Sequence, residues 1–198
     1  MSKPFSQACE NNKAPILQVL KHAFSDVSQV LEVGSGTGQH AVYMAEHLPH
    51  LQWQPSDQAV YLPGVRLWCS EYAGSNLLAP VELDVTQTQW PEVNADGVFT
   101  ANTLHIMSWA IVEAFFQGVG ALLPEGGKLC LYGPFNYQGA YTSESNQAFD
   151  HFLRERDPLS GIRDFEAVAE LAESAGLVLE ADHEMPANNR LLEWRKSA

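Results

Sequence analysis

The chain has 198 residues, 45% hydrophobic and 18% charged, which is enough apolar material for one domain with a buried core. Eleven Lys and Arg stand against 24 Asp and Glu, a net charge of -13 that works against nucleic acid as a partner, because backbone phosphates are held mainly by basic side chains. Three cysteines, Cys9, Cys69 and Cys130, without a close pair indicate neither a disulfide framework nor a zinc knuckle. No apolar run reaches the ~18 residues of a membrane span, and the opening MSKPFSQACENNK lacks the apolar core of a signal peptide, so a cytoplasmic protein is expected.

In chain order, Pro15 is expected in the first turn of a helix whose stripe is Ile16, Leu17, Leu20 and Phe24. A strand over SQVLEV follows, then a helix carrying Ala41, Met44, Ala45 and Leu48, and a short strand LQWQP ending near Asp57. Next come a helix through YLPGVRLWCSEYAG, a short apolar APVELDV, and a strand ADGVFTAN running into TLHIMS. Ser108 is placed to cap a helix bearing Trp109, Val112, Phe115, Phe116 and Val119, and LPEGGK turns that helix into KLCLYG, apolar on both faces as a central parallel strand is. Residues 134–163 are polar, aromatic and turn-rich, with a helix expected in the middle and no strand; they read as an insertion covering a substrate. A helix from near Asp164 to a stop at Gly176 then leads to two closing strands, GLVLEAD and NRLLEWRK. Alternating strands and helices predict an α/β fold with a doubly wound, mostly parallel sheet, and without linkers or repeats residues 1–198 read as one domain. Nothing in the pattern sets an oligomeric state.

The segment VLEVGSGTGQH raises the functional question. An apolar strand ending in alternating glycines lets the backbone take positive φ and leaves no Cβ between peptide and ligand, at the end of the sheet where doubly wound folds bind. A dinucleotide turn reads G-x-G-x-x-G; here the third glycine comes one place early and Glu32 precedes the first, a carboxylate better suited to a cation than to a pyrophosphate. That favours S-adenosylmethionine (SAM), with its amino group and sulfonium, over a nicotinamide dinucleotide.

This segment resembles motif I of the class I SAM-dependent methyltransferases, whose Rossmann-like sheet has an antiparallel last strand. The resemblance implies a cofactor site made of Glu32, Gly34, Ser35, Gly36, Thr37, Gly38, Asp57, Asp84, Val85 and Asn102. Within it, Asp57 matches the family's acidic residue that accepts from both ribose hydroxyls, and Asp84 the position beside the adenine amino group. Each has a plainer role open to it, Asp57 capping the following helix and Asp84 the turn at Thr86. The segments YGPFNYQGAYTSESNQAFDHFLRERDPLSGIRD and MPANNRLLEW, with the opening FSQACENNKAPIL, closely resemble a compact methyltransferase-like family long filed as a domain of unknown function; Asn11 stands where that family carries an arginine.

Methyl transfer from a sulfonium is an in-line displacement in which positioning supplies much of the catalysis, and an amine or hydroxyl acceptor needs a base for its proton. His105, after the fourth strand, is the candidate catalytic base; packing beside Trp109 or bonding a loop carbonyl is the alternative. Phe135, Asn136, Tyr137, Tyr141, Ser145 and Asn146 combine aromatic faces with neutral polar groups as acceptor-binding residues, with a solvated lid anchored by Phe149 and Phe152 as the alternative. PANN at 186–189 is expected to turn toward that lid. His40, His47 and His50 lie close in sequence, but Pro49 interrupts any helical register, so no metal site is expected. The expected function is a methyltransferase acting on a small molecule, without a nucleic-acid or membrane partner; a SAM-binding sensor that transfers nothing is the alternative.

Overall fold

A computed structural model describes residues 2–198, which divide into two compact units, one up to Thr100 and one from Ala101. The first unit opens with α1 (Gln7–Ala23), β1 (Gln29–Val33), α2 (Gln39–His47) and β2 (Gln52–Asp57). It continues with α3 (Leu62–Cys69), β3 (Val81–Glu82) and β4 (Gly97–Ala101), whose last residue belongs to the second unit. Parallel ladders join β1 to β2 and β4, and β2 to β3. Ile16, Leu17, Leu20, Val30, Leu31, Met44, Trp53, Val98 and Phe99 make its core.

The first helix differs from expectation. It starts at Gln7, where the Ser6 hydroxyl accepts from the Cys9 amide, and Pro15 lies inside it. Proline there removes one intrahelical hydrogen bond, but the stripe of Ile16, Leu17 and Leu20 behind it is fully buried and holds the helix down. Two expected elements are shorter. The third helix stops at Cys69 in successive turns, and the third strand is two residues long because Pro80 has no amide to lengthen a ladder.

The second unit contains α4 (Trp109–Leu122), β5 (Lys128–Gly133), β6 (Phe135–Asn136), α5 (Glu144–Arg156) and β7 (Arg163–Asp164). It ends with α6 (Phe165–Ser174), β8 (Leu177–Met185) and β9 (Asn189–Lys196). Ser108 caps α4, accepting from the Ile111 amide, as the sequence implies. β9 runs antiparallel to both β5 and β8, with a register slip between Leu179 and Ala181. The seven main strands take the order β3-β2-β1-β4-β5-β9-β8, a mostly parallel mixed sheet with β9 reversed.

The segment 134–163 contains strand where none was expected. β6 and β7 pair in parallel, Phe135 with Arg163 and Asn136 with Asp164, and tie the two ends of the segment together around α5. Two-residue strands lie below the length at which alternation can be read. The PANN turn is a 3-10 turn over Pro186–Asn188, and it meets the segment as expected: Asn146 Nδ2 donates to the Asn188 carbonyl at 3.2 Å.

Candidate functional site

In the first unit, β1 ends in a turn in which Gly34, Gly36 and Gly38 all have positive φ, at 75°, 60° and 94°. The glycines have different tasks. A Cβ on Gly38 would stand 3.0 Å from Trp68 Cβ and 3.1 Å from the Val65 carbonyl, so this glycine lets α3 pack on the turn. A Cβ on Gly36 would meet nothing within 4 Å, so this one borders open space.

The sequence reading has the turn's amides facing a ligand, and the structure revises that. The amides of Gly34 and Ser35 both donate to the Ser56 carbonyl, at 3.1 and 2.9 Å, and that of Gly38 donates to the Ser35 carbonyl at 2.9 Å. Gly36 donates to Asp57 Oδ2 at 2.7 Å. The cradle is thus stitched to β2, and what it offers is shape and the carboxylate of Asp57.

Glu32 is 2% exposed and turned inward. Its Oε2 accepts from the Ser35 hydroxyl at 2.8 Å and from Trp53 Nε1 at 3.2 Å, while Ser35 Oγ in turn accepts the Ser56 amide at 3.1 Å. Burial first, with the neighbouring Asp57 adding to it, pushes the carboxyl up to about 7 against the two hydrogen bonds. Asp57 accepts from Gly36 through Oδ2 and from the Gln58 amide through Oδ1, both at 2.7 Å, and burial raises it too. Each of its oxygens keeps a lone pair for a further donor. Asp84 caps the turn at Thr86: its Oδ1 accepts from the Thr86 amide at 2.9 Å and hydroxyl at 2.7 Å, which holds the carboxyl below its ordinary range. It also lines an open cleft of about 290 Å³ with Leu83, Gln87 and Trp90, and Val85 lies buried beside it.

The start of α1 also belongs to this site, which the sequence reading missed. Gln39 accepts from the Ser6 amide (2.6 Å) and the Thr37 hydroxyl (3.0 Å) and donates to the Ser6 carbonyl (3.2 Å) and Glu10 (2.7 Å). One residue on, the buried His40 shares a 2.6 Å hydrogen bond with buried Asn12, and burial pushes its pKa down to about 4. Polar residues opening a helix directly after a glycine turn are the signal that was present; their partners lie 28 to 33 positions away.

In the second unit, Asn102 follows β4 with φ 57°, its amide donating to the Tyr132 carbonyl at 2.9 Å. A Cβ on Gly133, at the end of β5, would be 3.9 Å from both Asn102 Oδ1 and His105 Nδ1, so these two side chains flank the same small space. His105 is 7% exposed, its ring edge-on to Phe149 with centroids 5.4 Å apart. Burial, with the Arg163 guanidinium adding to it, lowers its pKa to about 4. Neither ring nitrogen bonds a loop carbonyl among the described residues; the residue's own carbonyl accepts from the Gly161 amide at 2.9 Å. Arg163, over the Trp109 ring, holds this loop by donating to the carbonyls of Leu104 and Met107.

The acceptor-binding candidates divide. Phe135 and Asn136 are buried, and Asn136 Oδ1 has no hydrogen-bond partner among the described residues. Tyr137 is engaged elsewhere: its hydroxyl donates to Asp182 of β8 at 2.8 Å and its ring stacks on Phe165. Tyr141 donates to Asp150 at 2.7 Å, Ser145 meets Ser143 at 3.0 Å, and Asn146 Nδ2 donates to Thr142 Oγ1. Asp150 is the centre of the segment and was not foreseen. At 1% exposure it also accepts from Arg154 Nε (2.9 Å) and the Ile162 amide (2.7 Å), and these bonds hold its carboxyl low although burial opposes its charge. Among the described residues no three His, Cys, Asp or Glu side chains are grouped as metal ligands, and no helix is long and apolar enough to cross a membrane.

The family described as "Protein of unknown function (DUF938)" matches residues 3–196. Among solved structures, an O-methyltransferase family protein from Burkholderia thailandensis superposes with a TM-score of 0.82 at 16% identity, over 94% of this chain and 56% of that one. The SAM-dependent methyltransferase SibL in its apo form gives 0.81 at 19% identity, over 96% and 56%. Human N-acetylserotonin methyltransferase in complex with SAM gives 0.74 at 15%, over 96% and 58%. The chain spans a little over half the length of these proteins. Likeness at such identities shows the fold, which is the Rossmann-like methyltransferase fold.

Proposed function

We propose that this chain, which belongs to the DUF938 family of proteins of unknown function, binds S-adenosylmethionine and transfers its methyl group to a small-molecule acceptor. One observation carries the reading: Gly36 leaves open space on the turn that Asp57 holds through a 2.7 Å hydrogen bond. A bulky ligand can lie on that glycine while the carboxylate beside it accepts from vicinal hydroxyls. Asp84 and the cleft beside Trp90 offer an acceptor and a flat wall for a heteroaromatic base. Solved neighbours support the cofactor: human N-acetylserotonin methyltransferase carries SAM and PigF carries S-adenosylhomocysteine.

Bound SAM supplies an electrophilic methyl on a sulfonium. The chain's own task is then to bind the adenosyl part, position an acceptor and receive its proton. Glu32, near neutral-pH balance between its two forms, is a reserve of negative charge beneath the turn. His105, with a pKa of about 4, is unprotonated at neutral pH and ready to take a proton. A base that weak suffices for a hydroxyl acceptor when proton loss accompanies methylation, because an oxygen gaining a methyl becomes a strongly acidic oxonium. The net charge of -13 points to a small acceptor and not a nucleic acid, and the three unpaired cysteines fit a reducing cytoplasm.

Calorimetric titration with SAM and S-adenosylhomocysteine tests the cofactor; micromolar binding of either is expected, and none at millimolar ligand overturns the proposal. Incubation with methyl-labelled SAM and a metabolite extract tests transfer. A labelled small product is expected, whereas tight binding without any product makes the protein a SAM sensor.

A further inference from the structure

In the second unit, α4 and α6 touch where Gly120 meets Ala175. A Cβ on that glycine would stand 2.8 Å from the Ala175 carbonyl oxygen and 3.0 Å from the Ala175 Cβ, so only glycine allows the helices this close. Beside the contact lies an open cavity of about 460 Å³. Its α4 wall is Glu113, Phe116, Gln117 and Gly120, one stripe at i, i+3, i+4 and i+7, and Leu171 and Ala175 face it from α6. Phe116 is 1% exposed and packs edge-on to Trp194 of β9, with ring centroids 6.2 Å apart. Together with the half-buried Leu171 it gives the cavity an apolar floor, while Glu113 and Gln117 stand exposed at the rim.

The cavity is polarised from end to end. The Glu113 carboxylate has no hydrogen bond or ion pair among the described residues. The two helices carry three further carboxylates, Glu166, Glu170 and Glu173, and no Lys, Arg or His. Glu170 stands one turn before the lining Ser174, whose hydroxyl donates to the Glu170 carbonyl at 2.8 Å, so a second carboxylate belongs to this side of α6. At the other end the Lys196 ammonium donates to the Ala175 carbonyl at 2.6 Å. An unpaired negative charge therefore marks the Glu113 end, and a fixed positive charge closes the Ala175 end to cations. Glu113 and Gly120 are separated by about 10 Å of helix rise.

We propose that this cavity binds a small amphiphilic cation, with its ammonium at Glu113 and an apolar chain or ring, about 10 Å long, laid over Phe116 and Leu171 toward Gly120. The space has the size of a small-ligand cavity, and the acidic helices select the sign of the charge: an anion of the same skeleton meets carboxylates at one end and no free cation along the walls. The Gln117 amide at the rim can accept a second ammonium hydrogen through its oxygen. The assignment stands apart from the methyltransferase reading. None of the cavity's residues belongs to the site described above, and α4 begins only after the loop that carries His105.

Phenylbutylamine, phenylbutanol and phenylbutyrate make the matched probes, one skeleton ending in a cation, a neutral hydroxyl or an anion. With the full chain labelled in ¹⁵N, the Gly120 amide, the Gln117 side-chain amide and the Trp194 indole packed on Phe116 report occupancy, and their shifts give the Kd. The amine is expected to move all three with a Kd of about 1 mM or tighter. At low salt it should bind roughly threefold more tightly than the alcohol, the value of one exposed ion pair, and roughly tenfold more tightly than the butyrate. Glu113→Gln should remove the amine's advantage and leave the alcohol's Kd unchanged. Leu171→Ala should weaken amine and alcohol alike, and Glu144→Gln, on α5, should change nothing. Reporters unmoved at millimolar amine, binding of the alcohol or the butyrate as tight as that of the amine, or an amine preference that survives Glu113→Gln overturns the inference. So do reporters that shift with protein concentration alone, which would give the groove to a second copy of the chain.

Discussion

Replacing Glu32 by glutamine tests the electrostatics of the first unit. The carboxyl is held protonated well above its ordinary range because its surroundings are dry, and both its hydrogen bonds, from Ser35 and Trp53, go to one oxygen that a glutamine carbonyl can replace. In the folded protein the group binds its proton up to about pH 7, whereas the unfolded chain releases it near 4.5. Between those values the folded state holds more protons, so wild-type stability falls as pH rises, and the effect levels off above pH 7 when both states are ionised. Moving the carboxyl from 4.5 to about 7 corresponds to about 3 kcal/mol at most. Urea unfolding of the wild type and Glu32→Gln from pH 4.5 to 8 should therefore show the variant gaining on the wild type by roughly that amount. A cation bound over the turn favours the ionised form, so SAM affinity should rise several-fold from pH 6 to 8 in the wild type and stay flat in the variant. Parallel unfolding curves for the two proteins across this range would refute the reasoning, because they would place the carboxyl in solvent.

The two inner glycines should separate stability from binding. Gly36→Ala meets no neighbour and bears only the left-handed backbone penalty, about 1 kcal/mol by urea unfolding, yet should weaken SAM at least tenfold in calorimetry. Gly38→Ala collides with Trp68 and the Val65 carbonyl as well and should cost about 2–4 kcal/mol, seen as a lowered Tm. Acid should destabilise the protein through its buried histidines. His40 and His105 take up protons at about 4 when folded and near 6.5 when unfolded, so their contribution is complete above pH 6.5 and is lost as pH falls toward 4. His40→Gln should flatten the dependence of unfolding free energy on pH between 4.5 and 6.5 by about 1.4 kcal/mol per pH unit. Tyr137→Phe removes a 2.8 Å hydrogen bond to Asp182, leaving Arg190 on that carboxylate, and should cost about 1 kcal/mol in equilibrium unfolding.

Much of the architecture was legible because it is written in local pattern. Buried apolar strands, the Ser108 cap, the Gly176 stop and three glycines that all take positive φ announce themselves within a few residues. The start of α1 was not, because its first two turns are polar and Pro15 is a stronger signal than Ser6. In the candidate site, residue types were readable but directions were not. Glu32 reads as a carboxylate facing a ligand, yet Trp53, 21 positions on, draws it inward. Tyr137 reads as pocket lining, but Asp182 is 45 residues away and takes its hydroxyl. Such pairings arise when the sheet assembles, and no local rule encodes them.

The bridge that Gln39 makes between Ser6 and Thr37 has a practical consequence for fragments of this chain. With its carbonyl shared by a helix-opening amide and a hydroxyl of the glycine turn, any truncation past Ser6 unties the bridge and leaves the loop to find water in place of protein. On the proposed SAM reading, the shortest piece that keeps the turn intact begins ahead of that serine, and a tag fused directly to it would pull on the same turn.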